Sequence, residues 1–503
     1  MGAREEEINS KYYYSRHQPE KTPLYQIIQS NLTKFIEQVE TEKGYPLPNF
    51  VIKEFYDYLD CGILAKGFLR LHCESCGADG FVAFSCKRRG FCPSCGGRRM
   101  NETATHLVDS VLPFQRIRQW VMSFPIPIRL ILAIKPEVMG KVLNIVNQCI
   151  SQYYRRKAGF TKGQCQTGAV TLIQRFGGSI NLNVHFHTLY IDGVYQLSVD
   201  KKPNVFCPCA EPTLIELKTV LDKIIKKTIT LLERRGFLVK DNEEPLSLTI
   251  DSEDTFSQIQ ASSTIYRFAT GPNRGKKALV LKTIPNTDHA SGTGLVAAHS
   301  GFSLHAGVAV GGGERKKLER LARYIARPPI AQDRLRLSDT GQVIYQLKKP
   351  YSDGTSHIVM SPLELLEKIT AIIPRPRGHL TRFHGVLAPH YKYRELIVPP
   401  KKADPLPSNE NNKNDLVKKM RVTWARLLKR VFDVDVETCG VCGGKVKIIA
   451  AIKEVEVIKK ILDHIGMPSV PPEIASARGP PDFAYDDNFS HDTNLFSSDI
   501  LQP

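Results

Sequence analysis

The chain has 503 residues, too long for one ordinary core, so about two to four domains are expected. Hydrophobic residues make up 42%, which excludes a disordered chain, and the formal charge of +18 points to a polyanionic partner, nucleic acid first. No run approaches the roughly eighteen apolar residues of a membrane span, and Met1–Glu20 lacks the apolar core of a secretory signal. The chain is therefore expected to stay in a reducing cytoplasm without meeting a membrane. There its twelve cysteines serve as metal ligands or thiols rather than disulfides.

Leu24, Ile27, Ile28, Leu32, Phe35 and Ile36 recur at helical spacing. Pro46 and Pro48 break that helix before a second one around Val51–Leu59. A cysteine- and glycine-rich stretch, Cys61–Gly97, is too short to bury a core unaided. Residues 100–155 return to helical patterning, interrupted by Pro113, Pro125 and Pro127. Residues 168–195 read as two strands around the Gly177-Gly178 turn. Residues 211–236 form a long amphipathic helix, and 261–310 hold several short β-like runs. After Gly311–Gly313 comes a helix over Glu314–Arg327, stopped by Pro328 and Pro329. Residues 401–414 read as a linker, 415–467 as a small C-terminal unit, and 468–503 as a disordered tail rich in Pro, Ser and Asp.

Cys73-x2-Cys76 and Cys92-x2-Cys95 are two knuckles, and such pairs supply four thiolates to one tetrahedral zinc. Four thiolates leave no open position, so the zinc is structural. Cys61 and Cys86 are further candidates for the same site. Lys87, Arg88, Arg89, Arg98 and Arg99 lie between and after the knuckles, where a zinc-braced basic loop suits phosphate contacts. Cys439-x2-Cys442 forms one more knuckle with no evident partner pair, and Cys207-x-Cys209 is a weaker signal.

In Ile180–Tyr190, apolar Ile180, Leu182, Val184 and Phe186 alternate with Asn181, Asn183, His185 and His187. This period places His185 and His187 on one side of a strand, about 6–7 Å apart at the base. They can converge on one divalent cation that polarises a phosphoryl oxygen. Asp192 is a candidate to orient a histidine. The alternation of Phe302, Leu304, Ala306, Val308 and Val310 puts His305 on a polar face as a candidate third ligand. The helix before Pro328 holds a single tyrosine, Tyr324. It lies between a buried stripe of Leu318, Leu321, Ala322 and Ile325 and a face carrying Arg320, Arg323 and Arg327. A phenol supported by the core and surrounded by arginines suits attack on a phosphate.

The order of these features resembles the rolling-circle transposases of the insertion-sequence-ninety-one type, within the HUH endonuclease superfamily. A cysteine-rich zinc module is followed by His185-Phe186-His187 with Asp192-Gly193, then by Arg323-Tyr324-Ile325-Ala326-Arg327-Pro328-Pro329. The segments Ser85–Cys95, Phe302–Ala306 and Phe383–Pro389 also match that family's pattern, over about residues 20–455. The resemblance implies an α+β fold, with an antiparallel sheet of ferredoxin-like or RNA-recognition-like topology flanked by helices. The expected division is a helical segment over 1–60, a zinc domain over 61–110 and a catalytic domain over 111–400. His185 and His187 would bind Mg2+ or Mn2+, and Tyr324 would join a DNA 5′ phosphate and leave a 3′ hydroxyl. The substrate would be single-stranded DNA at the ends of an element and at its target. The best-known members carry two tyrosines on this helix. Here positions 320 and 328 are Arg and Pro, so Tyr324 acts alone or with a distant tyrosine such as Tyr345 or Tyr351. Plasmid replication initiators and relaxases share this chemistry. A zinc protein that binds DNA without cutting it is the alternative from another class.

Overall fold

Thr22 is extended and its hydroxyl accepts the Tyr25 N–H, with Pro23 in the first turn, so the chain enters its first helix, Pro23–Lys43, there. Gly44, at φ 73°, ends that helix in the left-handed conformation a side chain would resist. The computed structural model describes residues 18–239, 247–248, 254–282, 295–351, 353–400, 438–439 and 441–475. The expected linker 401–414 and tail residues 476–503 lie outside them. No helix among the described residues is long and apolar enough to cross a membrane.

The first helix packs with a second, Asn49–Leu59, through Phe35 against Phe55. Phe55 and Tyr58 in turn hold Phe91, which lies between the cysteines of the basic loop. A small antiparallel sheet follows, built from Phe68–Cys73 and Asp79–Ala83. Its third strand is Val446–Ile452, which pairs along Phe68–Cys73. The expected C-terminal unit is thus joined by its strand to the zinc domain. Residues 468–475, expected within a disordered tail, include Glu473 and Ala475, which hydrogen-bond Gln29 and Thr33 on the first helix.

The centre of the molecule is a six-stranded sheet. Its order is Val296–His299, Phe302–Val310, Ile117–Ser123, Leu182–Ile191, Gly168–Phe176 and Thr381–Gly385, and every neighbouring pair is antiparallel. Helices flank it, which gives the α+β fold expected. The two strands read around the Gly177-Gly178 turn are both present. The central strand Ile117–Ser123 departs from the helical patterning expected over 100–155. All seven of its residues are buried, so it has no exposed face to produce alternation, and Arg118 and Gln119 interrupt its apolar run.

The two faces of the sheet feed different cores. One face, with Trp120, Met122, Phe186, Tyr190 and Leu304, packs on helices Pro136–Lys157 and Leu214–Arg234. Thr213 and Glu216 form a capping box that starts the latter helix. The other face, with Val170, Leu172, Leu189 and Ile191, packs under helices Pro93–Ser110 and Arg315–Ile325. These two helices are tied together. Arg315 donates to the Val108, Leu112 and Pro113 carbonyls at the end of the first, where a cation also suits the helix dipole. At the other end, a Cβ on Gly96 would stand 2.7 Å from Pro328 Cβ, so the close approach needs glycine there.

Candidate active site and zinc centres

Strand period puts His185, His187 and Leu189 on the face beneath the Arg315–Ile325 helix. Both imidazoles are buried, at 7% and 6% exposure, and their ring centroids are 4.9 Å apart. Burial holds the pKa of His185 down to about 4 and that of His187 well below the usual histidine range, so both are neutral at physiological pH. A neutral imidazole is the form that binds a metal. His185 Nδ1 lies 3.0 Å from the Asn183 carbonyl, which only accepts, so Nδ1 carries the proton and Nε2 keeps a lone pair. His187 Nδ1 lies 2.8 Å from the Gln119 amide nitrogen, which donates to it; with the carboxamide turned over, its oxygen would accept from Nδ1–H and free Nε2 in the same way. The pair therefore fits a divalent cation.

His305 stands in the same row of the sheet, His305 opposite Val121 opposite His187, and on the same face. A whole strand separates it from the pair, about 9–10 Å at the backbone. Among the described residues it joins no group of three converging ligand atoms. The expected orienting role of Asp192 is not met. Its carboxylate is fully buried on the opposite side, held by Arg116, Arg118 and the Tyr154 hydroxyl.

Tyr324 is 44% exposed at the end of its helix. The Arg327 guanidinium lies 4.8 Å and the Lys348 ammonium 4.4 Å from its ring centroid. Burial alone would raise its pKa. The hydrogen bond and charge of Arg327, with Lys348 and Lys349, outweigh burial and lower it. Arg327 also bears electrostatically on His185 and His187, so one guanidinium sits within range of all three groups. The distant tyrosines differ. Tyr345 is buried under Arg334, and burial raises the pKa of both Tyr345 and Tyr351.

A cleft opens between the basic loop (Arg88, Arg89), the helix that follows it (Arg99), the end of the tyrosine helix (Arg327) and Gln174 of the sheet. Gln174 donates to the Ile325 carbonyl and so ties sheet to helix. Of the arginines expected to meet DNA, these four line one groove. Arg88 also pairs with Asp57, and Arg99 donates to the Lys87 and Arg88 carbonyls, which shapes the loop. Arg98 pairs with Glu102 and Arg323 with Glu319, while Arg320 is exposed away from the cleft lining.

The cysteines do not group as their spacing suggests. Cys92 and Cys95 meet Cys61 and Cys86, with sulfurs 3.4–3.8 Å apart in the contacting pairs. Cys73 and Cys76 stand instead with Cys439 and Cys442. The physical reason is the hairpin. Cys73 ends one strand and Cys76 lies in the turn, so both point away from the loop that carries Cys86, Cys92 and Cys95. Tetrahedral zinc with Zn–S bonds of about 2.3 Å sets its sulfurs about 3.8 Å apart, and the first quartet matches that spacing. Cys207 and Cys209 belong to neither quartet.

Sequence reasoning missed Gln119, Gln174 and Lys348. A glutamine beside an arginine inside a largely apolar buried run was the one available signal, and it marks Gln119 and Gln174 but not Lys348.

A family model named Zn_Tnp_IS91, "Transposase zinc-binding domain", matches residues 27–124. A second, Y2_Tnp, "Putative transposase", matches residues 168–394, the range that contains the histidine pair and Tyr324. No curated protein and no solved structure matches the chain. The chain belongs to the transposase family of the insertion-sequence-ninety-one type, with a zinc-binding domain followed by a transposase domain.

Proposed function

We propose that this transposase nicks and rejoins single-stranded DNA at the ends of its element, through a phosphotyrosine at Tyr324. The observation that carries this reading is the position of Arg327, within electrostatic range of the Tyr324 phenol and of both buried histidines. The Arg88, Arg89, Arg99 and Arg327 groove holds the strand by its phosphates. Arg327 and Lys348 favour the phenolate of Tyr324. The phenolate oxygen attacks phosphorus, the O–P bond forms, and the bond to the 3′ oxygen breaks. That oxygen takes up a proton and leaves as a 3′ hydroxyl. The 5′ phosphate remains on Tyr324, conserving the bond for rejoining to another 3′ hydroxyl. Bound at His185 and His187, Mg2+ or Mn2+ supplies charge to offset the negative charge that develops on the phosphoryl oxygens. With its oxygen turned toward Nδ1–H, Gln119 would keep His187 in the ligating tautomer. The zinc held by Cys61, Cys86, Cys92 and Cys95 is structural and braces the basic loop.

The test is incubation of labelled single-stranded DNA bearing the element's ends with Mn2+, followed by a denaturing gel. A labelled band at protein mass that vanishes in Tyr324→Phe is expected. Tight binding with no adduct would favour a protein that binds DNA without cutting it. Cleavage that survives Tyr324→Phe would make water the nucleophile.

A further inference from the structure

Cys73 and Cys76 converge with Cys439 and Cys442, more than 360 residues away in the chain. We propose that these four thiolates bind a second zinc, a structural site built half from each end of the chain, which locks the strand Val446–Ile452 onto the zinc domain. Cys73 Sγ lies 3.5 Å from Cys442 Sγ, and Cys76 Sγ 3.6 Å from Cys439 Sγ. All four sulfurs lie within 4.8 Å of one another. A tetrahedral zinc sets its sulfurs about 3.8 Å apart, so little adjustment is needed.

The two halves are built alike. In the first, Cys73 N–H donates to the Ala78 carbonyl and Gly77 N–H to the Cys73 carbonyl. In the second, Cys439 N–H donates to the Gly444 carbonyl and Gly443 N–H to the Cys439 carbonyl. Gly77 and Gly443 have φ of 72° and 71°. The two segments thus share one Cys-x2-Cys-Gly fold with the same offsets. In the second, the Val441 and Gly444 amides point at the Cys439 and Cys442 sulfurs, at 3.4 and 3.3 Å. The knuckles also touch directly. Lys447 pairs with Glu74, and Ser75 fills the space where Gly444 would carry a Cβ.

Apolar burial anchors the helix Val455–His464, through Ile458 and Leu462, but it does not account for the knuckle end of the segment. There Ile448 and Ile449 on the added strand are 57% and 51% exposed, and Cys76 and Cys442 are exposed as well. Two buried and two exposed thiols gain little from one another, whereas a cation draws four thiolates together. With all four positions filled by sulfur, the ion has no open site for chemistry.

Metal analysis of the full-length chain, freshly purified without a metal-binding tag, tests this. Two zinc ions per chain are expected, falling to one in Cys439→Ser/Cys442→Ser, with trypsin then removing the C-terminal segment sooner. One zinc in the wild type, or two retained in the double variant, overturns the proposal. If that variant fails to fold, alkylation of the wild type decides. Exposed Cys76 and Cys442 should resist N-ethylmaleimide, together with Cys73 and Cys439, until a chelator strips the metal. Free alkylation of Cys439 and Cys442 in zinc-loaded protein overturns it equally.

Discussion

The two faces of the six-stranded sheet are made by alternate residues of the same strands, yet they do different work. On one face Phe186 and Tyr190 pack with Phe124 and Trp120. One residue away in the chain, His185 and His187 face the tyrosine helix. The aromatic face is a packed core that encloses one closed ionic cluster, Asp192 with Arg118 and the Tyr154 hydroxyl, and the histidine face is a core interrupted by imidazoles and glutamines. Burying those polar groups is costly unless they are hydrogen-bonded, and the Asn183 carbonyl and the Gln119 carboxamide are the partners that hold them. A strand can thus carry stability on one side and chemistry on the other, and substitutions should separate the two.

Tyr324→Phe should have the largest effect, reducing covalent attachment by about 10³-fold or more while DNA binding persists, as read by adduct gels beside a binding assay. His187→Ala should lower metal-stimulated cleavage by roughly 10²-fold or more, with little change in melting temperature. Its neighbour Phe186→Ala should do the reverse. A loss of about 3–5 kcal/mol in urea unfolding is expected for that cavity. Cleavage below the melting point should survive, and an inactive but stable Phe186→Ala protein would break the comparison. Gln119→Leu should weaken Mn2+ binding by about 10–100-fold, and Gln119→Glu should restore part of it, as followed by titration calorimetry. The smallest effect concerns pH. The phenolate is the attacking form, and nearby cations lower the Tyr324 pKa, so cleavage should rise with pH and level off below the ordinary phenol value. Lys348→Met should move that rise to higher pH, and an unmoved profile would remove Lys348 from the site.

Much of this was legible in the sequence because it is local. His185 and His187 announce themselves by strand alternation, and Tyr324 by its place before Pro328-Pro329. What was not legible depends on elements meeting from far apart. Asp192 lies an odd number of residues from each histidine, so alternation alone sets it on the other side, but the Arg116 and Arg118 that hold it there were not foreseeable. Those arginines lie around a strand whose complete burial erased its pattern. Lys348 reaches Tyr324 from a separate segment, and no periodicity relates the two. Spacing between cysteines misled for a related reason. Cys73 and Cys92 are near in sequence, but the hairpin turns the first pair outward, and its partners lie almost at the other end of the chain.

That last pairing has a consequence for synthesis. Cys73 and Cys442 are separated by 369 residues, which a ribosome adds in roughly 20–75 s at about 5–20 residues per second. Through that interval the strand Phe68–Cys73 offers an unpaired edge, the kind of surface that recruits strands from other chains. The newborn protein must either keep that edge covered or remain alone until its own strand Val446–Ile452 arrives.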